Sequence, residues 1–409
     1  MFSNIKSYFY TEPKDNLRIR LIFKPLYIVL SLLGLFPYSI KFDNKHGLTI
    51  IQKSIYINSV CAVSYVLFLF SFLAIHIRYV YDSLGDTSMT REVMTQMNYV
   101  LELIVCSLFC LTAYFCAFNN RCKFVDIINS IANMIEPSNA NTKRILKQLR
   151  FKVNVIIMGF LLILMLLQLC VNFTRDDQFW KMILVFATFM LPQLIQFTML
   201  SFYYLLISML VVLLMTIRGQ ISNISKNKPN VMDCCTKADA KIMTLQYVET
   251  LYVKAFEVKR DIVKAFEAPM LITAIQCFHS MVSEAHIIYH GLVIERDFYV
   301  HPLVNCSIWI IYQIIKIFIL ARSGTLLKQE VTVHVSKIGQ TLHNIPTEKH
   351  EIRLLLEIQH FSSMMSHQNN EITAYGLFTL DATLLSKVRA YNNIIITSLS
   401  NGKIHYFSF

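Results

Sequence analysis

Residues 182–217 read MILVFATFMLPQLIQFTMLSFYYLLISMLVVLLMTI, 36 residues without an Asp, Glu, Lys or Arg. A helix of about 20 apolar residues crosses roughly 30 Å of hydrocarbon. At 1.5 Å per residue this run reaches about 54 Å, so part of it projects beyond a bilayer. Six further apolar runs surround it, at 55–77, 97–118, 153–173, 268–294, 298–320 and 372–399. Runs 55–77 and 153–173 are uncharged. Glu102, Glu284 and Lys316 are the lone charges of three others, and Asp381, Lys387 and Arg389 lie in the last. A weaker run, 21–40, is interrupted by Lys24, Pro25 and Pro37 and reads as a short helical hairpin or interfacial helix.

The chain is 55% hydrophobic and 16% charged, whereas soluble proteins carry about 25% charged residues. With 10 Gly and 9 Pro in 409 residues, long helices are favoured over loops. The expected fold class is all-α, a polytopic membrane protein with seven transmembrane helices. Residues 1–20 are polar and basic, so no cleavable signal peptide is expected. Cys61, Cys106, Cys110, Cys116, Cys170 and Cys277 sit inside apolar runs without the paired spacing of a zinc site or a disulfide framework.

A net charge of +12 raises the question of nucleic acid, but the charge distribution answers it. Seven spans place 29 Lys and Arg on the side of the N-terminus and 6 on the other. The positive-inside rule then puts the N-terminus in the cytoplasm and the C-terminus outside. No nucleic-acid partner is expected. G-protein-coupled receptors have the reverse orientation, and Asn172-Phe173-Thr174-Arg175 follows the third span in place of an Asp-Arg-Tyr-like triplet. Asn172 and Asn305 head Asn-x-Ser/Thr triplets at the outer side and are candidate glycosylation positions.

The expected organisation is a cytoplasmic N-terminal segment with an interfacial helix (1–54) and a six-helix ligand-binding transmembrane domain (55–320). A cytoplasmic anchor helix (321–371), a last transmembrane helix (372–399) and an extracellular tail (400–409) follow.

Enzyme chemistry finds little support. His286 and His290 share a helix face near Glu284, but no His-Glu-x-x-His, Walker loop or Gly-x-Ser-x-Gly occurs. No catalysis, metal or cofactor is expected. Polar and aromatic residues in the outer halves of the middle spans suit a small-molecule pocket better. They are Tyr99, Glu102, Gln168, Asn172, Gln193, Gln196, Glu284, His286, Tyr289, Trp309, Tyr312 and Gln313. Each also suits ordinary interhelical hydrogen bonding. The two carboxylates stand out because an intramembrane charge needs a partner or water.

The end of the chain carries a more specific pattern. His367-Gln368, then Ile372-Thr373-Ala374-Tyr375 and Gly376-Leu377-Phe378-Thr379-Leu380-Asp381, resemble the end of insect gustatory receptors. The opening Lys24-Pro25-Leu26 with Gly34-Leu35-Phe36-Pro37 is similar too. The resemblance implies a ligand-gated, non-selective cation channel in a sensory-neuron membrane, a homo- or hetero-tetramer that detects a small-molecule tastant. It also implies that four subunits meet at the anchor and that the last helix lines a central pore. Leu354, Ile358, Phe361 and Met365 form an apolar helix stripe, suited to packing within one subunit and, by the resemblance, to subunit contact. Asp381, Lys387 and Tyr391 fall on the pore-lining segment. The family's Thr-Tyr, five residues, Gln-Phe is replaced by Ala390-Tyr391 and Thr397-Ser398. An odorant-receptor-type subunit and a secondary transporter are the alternatives.

Lys387-Val388-Arg389 is what AAG-GTA-AGA encodes, and GTAAG begins introns. Residues 388–409 then read either as translated intron in place of a final exon or as the end of a divergent receptor whose Lys387 and Arg389 face a water-filled vestibule.

Overall fold

The computed structural model describes residues 19–36, 39–42, 49–52, 55–83, 93–135, 140–173, 180, 183–184, 186–226, 234–289, 300–345, 347, 352–367, 373–374 and 378–379. Helices dominate. In chain order they are α1 (Ile19–Leu32), α2 (Ile55–Ser83), α3 (Val93–Asn119), α4 (Arg121–Met134), α5 (Ala140–Phe151) and α6 (Met158–Phe173). Then come α7 (Leu191–Lys226), α8 (Cys234–Tyr289), α9 (Val300–Thr325), α10 (Val331–His343) and α11 (Ile352–Ser366). Among the described residues, stretches within α3, α7 and α9 are long and apolar enough to cross a membrane, and α1, α2 and α6 hold shorter apolar stretches.

Three π-helical turns make rods longer than the spans. Lys152–Ile157 joins α5 to α6, Phe186–Met190 runs into α7, and Leu326–Glu330 joins α9 to α10. Between the runs 182–217 and 268–294, residues 218–226 and 234–267 are helical although charged. α8 alone has 56 residues, about 84 Å at 1.5 Å per residue. Its charged first half could not be recognised as part of a span by hydropathy. The stretch 321–371 holds the end of α9, a π-helical turn and two further helices, α10 and α11.

α7 is the centre of the bundle. Its sequence is apolar all round, and a helix of that kind is stable only when surrounded; α8, α9, α3, α10 and α1 cover it. Phe202 on α7, Phe124 on α4 and Phe266 on α8 meet with ring centroids 5.2–5.3 Å apart. Phe23 of α1 joins them, 5.5 Å from Phe202. Within the segment 21–40 the helix Ile19–Leu32 docks by its apolar face, and Ser39 and Ile40 belong to a strand. α1 ends at Gly34, whose φ of 70° only glycine adopts freely. There Leu35 N–H donates to Leu30 O (2.8 Å) and Gly34 N–H to Ser31 O (3.1 Å), a Schellman cap. Tyr114 Oη donates to Leu33 O at 2.8 Å, tying this cap to α3.

Short antiparallel ladders punctuate the helices. Ser39–Phe42 pairs with Thr49–Gln52, Ser39 opposite Gln52. Thr373–Ala374 pairs with Phe378–Thr379, so the last span is not helical from residue 372 as expected. Asp381, Lys387, Tyr391 and the stretch 388–409 lie outside the described residues.

On α11 the stripe Leu354, Ile358, Phe361 and Met365 is buried within this one chain. Phe361 meets Tyr252 of α8 edge-on with centroids 5.4 Å apart, and Met365 packs over Gly339 of α10. The four side chains expected at the subunit contact are therefore already covered by α8 and α10. The helix's exposed apolar residues are Ile352 (65%), Leu355 (46%) and Leu356 (59%).

Candidate functional site

Four helices bring polar side chains into one buried layer. α3 supplies Glu102 and Cys106, α7 Gln193 and Gln196, α8 Gln276 and Ser280, and α9 Trp309, Tyr312, Gln313 and Lys316. All are buried. On α9 the steps of three and four residues place its contributors on one face.

Glu102 Oε1 accepts three hydrogen bonds, from Ser280 Oγ at 2.9 Å, Trp309 Nε1 at 3.2 Å and Gln276 Nε2 at 3.5 Å. Lys316 Nζ donates to Gln193 Oε1, to Gln196 Oε1 at 2.6 Å and to Gln276 Oε1 at 3.1 Å. It also lies 4.9 Å from the centroid of the Tyr312 ring. An ammonium has three protons to donate, and all three are used. Gln276 joins the two charges, its amide NH2 toward the carboxylate and its oxygen toward the ammonium. The reverse amide orientation would set donor against donor, so the pair itself orients Gln276. Buried ions persist only when paired and hydrogen-bonded in this way.

Beside this relay, α6, α7 and α9 enclose a cleft with about 250 Å3 of empty space. Leu164, Met165, Met190, Gln193, Ile308, Trp309 and Tyr312 line it. The Trp309 and Tyr312 rings stack 6.0 Å apart at 28°, and Tyr312 stacks on Phe197 at 6.1 Å. Tyr312 Oη donates to the Gln193 main-chain oxygen at 3.1 Å. A larger cleft of about 330 Å3 lies between α2, α3 and the start of α7, lined by Leu69, Leu73, Cys110 and Thr188 among others. It holds none of the residues selected from the sequence. We therefore place the site at the smaller cleft.

The structure gathers Glu102, Gln193, Gln196, Trp309, Tyr312 and Gln313 from the sequence set. Both amide atoms of Gln313 are buried without a hydrogen-bond partner among the described residues. Glu284, His286 and Tyr289 stand half-buried toward the C-terminal end of α8, where the Glu284 carboxylate takes the Cys306 thiol. Tyr99 lies on α3 and Gln168 and Asn172 on α6, their side chains outside the described set. Asn305 is half-buried on α9.

Sequence reasoning missed Gln276 and Ser280 and gave Lys316 no role. The signal was present for the lysine, since a cation inside an apolar span demands a partner as much as Glu102 does. His76 was also missed. Its Nδ1 lies 3.0 Å from Thr188 Oγ1. That hydroxyl donates to Leu184 O at 2.8 Å, so the imidazole N–H is the donor.

Long apolar rods surround a buried polar layer, with an aromatic-lined cleft between them, in a helical architecture with stretches apolar enough to cross a membrane. The profile of the 7tm Chemosensory receptor family matches residues 23–391, and the chain belongs to that family. The fold is similar to that of the insect olfactory receptor OR5 from Machilis hrabei, with a TM-score of 0.70 at 12% identity, over 95% of this chain and 99% of that one. The same receptor in complex with eugenol matches with a TM-score of 0.69 at 13% identity, over 94% and 99% of the two chains. Among curated proteins, none matches the sequence significantly.

Proposed function

We propose that this chain is a gustatory-type chemoreceptor subunit, a ligand-gated, non-selective cation channel that detects a small-molecule tastant at the plasma membrane of a sensory neuron. The observation that carries the reading is the cleft between α6, α7 and α9, lined by Gln193, Trp309 and Tyr312 in a chain of the chemosensory family. The eugenol complex of the olfactory receptor supports a small organic ligand. The charge distribution supports a cytoplasmic N-terminus and an extracellular C-terminus. Four subunits, identical or mixed, surround one pore in this reading, and Asp381, Lys387 and Tyr391 belong to the segment that lines it. Ligand opens the pore by binding the open state more tightly than the closed one.

An odorant-receptor-type subunit is the second reading, and the two olfactory receptor structures favour it. The Gly376 to Asp381 hexapeptide favours the gustatory one. Expression of the chain alone and with partner subunits, followed by a ligand panel under voltage clamp, tests both. Ligand-evoked currents that reverse with the cation gradient support a channel, and the active compounds separate tastant from odorant. Stoichiometric uptake of a solute without such currents would replace the channel with a secondary transporter.

A further inference from the structure

Four side-chain groups on the residues lining the Trp309–Tyr312 cleft are able to hydrogen-bond, and each has a partner in the protein. The Gln193 amide NH2 donates to Cys106 Sγ at 3.7 Å. The Trp309 N–H is spent on Glu102. The Tyr312 hydroxyl is spent on the Gln193 main-chain oxygen. The Gln193 side-chain oxygen is spent on Lys316. What remains for a ligand is ring faces, the thioethers of Met165 and Met190, and aliphatic carbon. Two of these four engagements end on the buried charges that Gln276 links.

We propose that Glu102, Gln276 and Lys316 are positioning residues that set the ligand selectivity of this cleft by withholding its hydrogen-bonding groups. Glu102 withholds a donor, the indole N–H. Lys316 withholds an acceptor, the Gln193 carbonyl. The intact relay therefore admits neutral hydrocarbon-like rings and discriminates against isosteric rings that bring a hydroxyl or carbonyl needing a partner. Release of either charge exposes one specific group and changes selectivity in one specific direction. This inference rests on the ligand reading of the cleft.

The chain has 2 tryptophans, so Trp180→Phe leaves Trp309, in the cleft wall, as sole fluorescent reporter. Binding to the purified receptor in nanodiscs is read by its quenching with two isosteric pairs. p-Cresol against p-xylene reports a ligand hydroxyl, donor and acceptor together, and acetophenone against α-methylstyrene reports an acceptor alone. Lipid partitioning cancels when variant and parent are compared within a pair. With the relay intact, p-xylene and α-methylstyrene bind about tenfold or more tightly than their polar isosteres, the usual penalty for an unpaired buried group.

Lys316→Met frees the Gln193 carbonyl and shifts only the cresol–xylene ratio, about tenfold toward p-cresol. Glu102→Leu frees the indole N–H and shifts the acetophenone pair toward acetophenone, and the cresol pair with it, because the phenol oxygen also accepts. Where a single variant does not fold, Glu102→Gln combined with Lys316→Met removes both charges while keeping an acceptor for Trp309. It shifts the cresol pair and leaves the acetophenone pair as in the parent. A uniform loss of affinity, or unchanged ratios in variants that bind, would overturn the relay's role. Absence of quenching by all four compounds in the parent would overturn the cleft as a ligand site, which is a different result.

Discussion

Trp309 Nε1 donates to Glu102 Oε1 at 3.2 Å, although the two residues are 207 positions apart. A ring in the cleft wall is thereby held by a carboxylate behind it. The same carboxylate shares Gln276 with Lys316, so α3, α8 and α9 are joined through one connected set of hydrogen bonds. The stability of that set and the shape of the cleft are consequently one property, and both respond to the same substitutions.

Removing one charge of the pair leaves the other uncompensated in a low dielectric. Lys316→Met is expected to destabilise the receptor by about 3–5 kcal/mol. Adding Glu102→Gln is expected to restore most of the loss, because the second charge goes too. Thermal melting followed by fluorescence-detected size exclusion in detergent measures this. Additive losses in the double variant would show that the two residues are not energetically coupled.

α11 separates folding from assembly. Phe361 is 0% exposed against Tyr252, so Phe361→Asp buries a carboxylate and removes a packed ring, costing at least about 3–5 kcal/mol. Loss of monodisperse receptor is expected. Leu355 is 46% exposed within one chain, and Leu355→Asp is expected to leave each chain folded while preventing assembly. Subunit counting by single-molecule photobleaching decides. Tetramers surviving Leu355→Asp would place the contact elsewhere.

Lys259 lies on α8 before its span, buried beside Phe256 with its Nζ 5.2 Å from the ring centroid. Burial pulls its pKa from 10.5 down to about 8. The folded state therefore sheds this proton earlier than the unfolded state. Below about pH 8 the full cost of the buried ammonium is present. From pH 8 to 10.5 the unfolded chain binds more protons, so stability rises with pH, by at most about 3 kcal/mol. The melting temperature is expected to climb over that window relative to a Lys259→Met variant, which lacks the titration. Parallel profiles for the two proteins would remove Lys259 as the cause.

The orientation carries its own test. Epitope tags at residue 1 and beside Asn230 are expected to label only after permeabilisation, as the excess of Lys and Arg on their side requires. Labelling of intact cells would invert the receptor.

The positions of most spans were legible in the chain itself, because a run such as 182–217 has no charge to stop it and too many apolar residues for anything but burial. That Glu102, Gln193, Gln196, Trp309 and Tyr312 need partners was legible too, since a polar or indole side chain in such a run must find one. Composition cannot say which partner. Gln276 is 174 positions from Glu102 and 40 from Lys316, and only the packing of α3, α8 and α9 brings them within hydrogen-bond reach. The stripe on α11 shows the same limit. A 3–4 spacing declares an apolar face without declaring what covers it, and here α8 and α10 of the same chain do. Charged stretches were misjudged for the opposite reason. The first half of α8 is helical because it packs on α7 and α11, and hydropathy records only the membrane's demands. Local periodicity thus determined where helices run and which residues need partners. Tertiary structure alone decided the partners, because each contact joins segments that nothing in the covalent chain brings together.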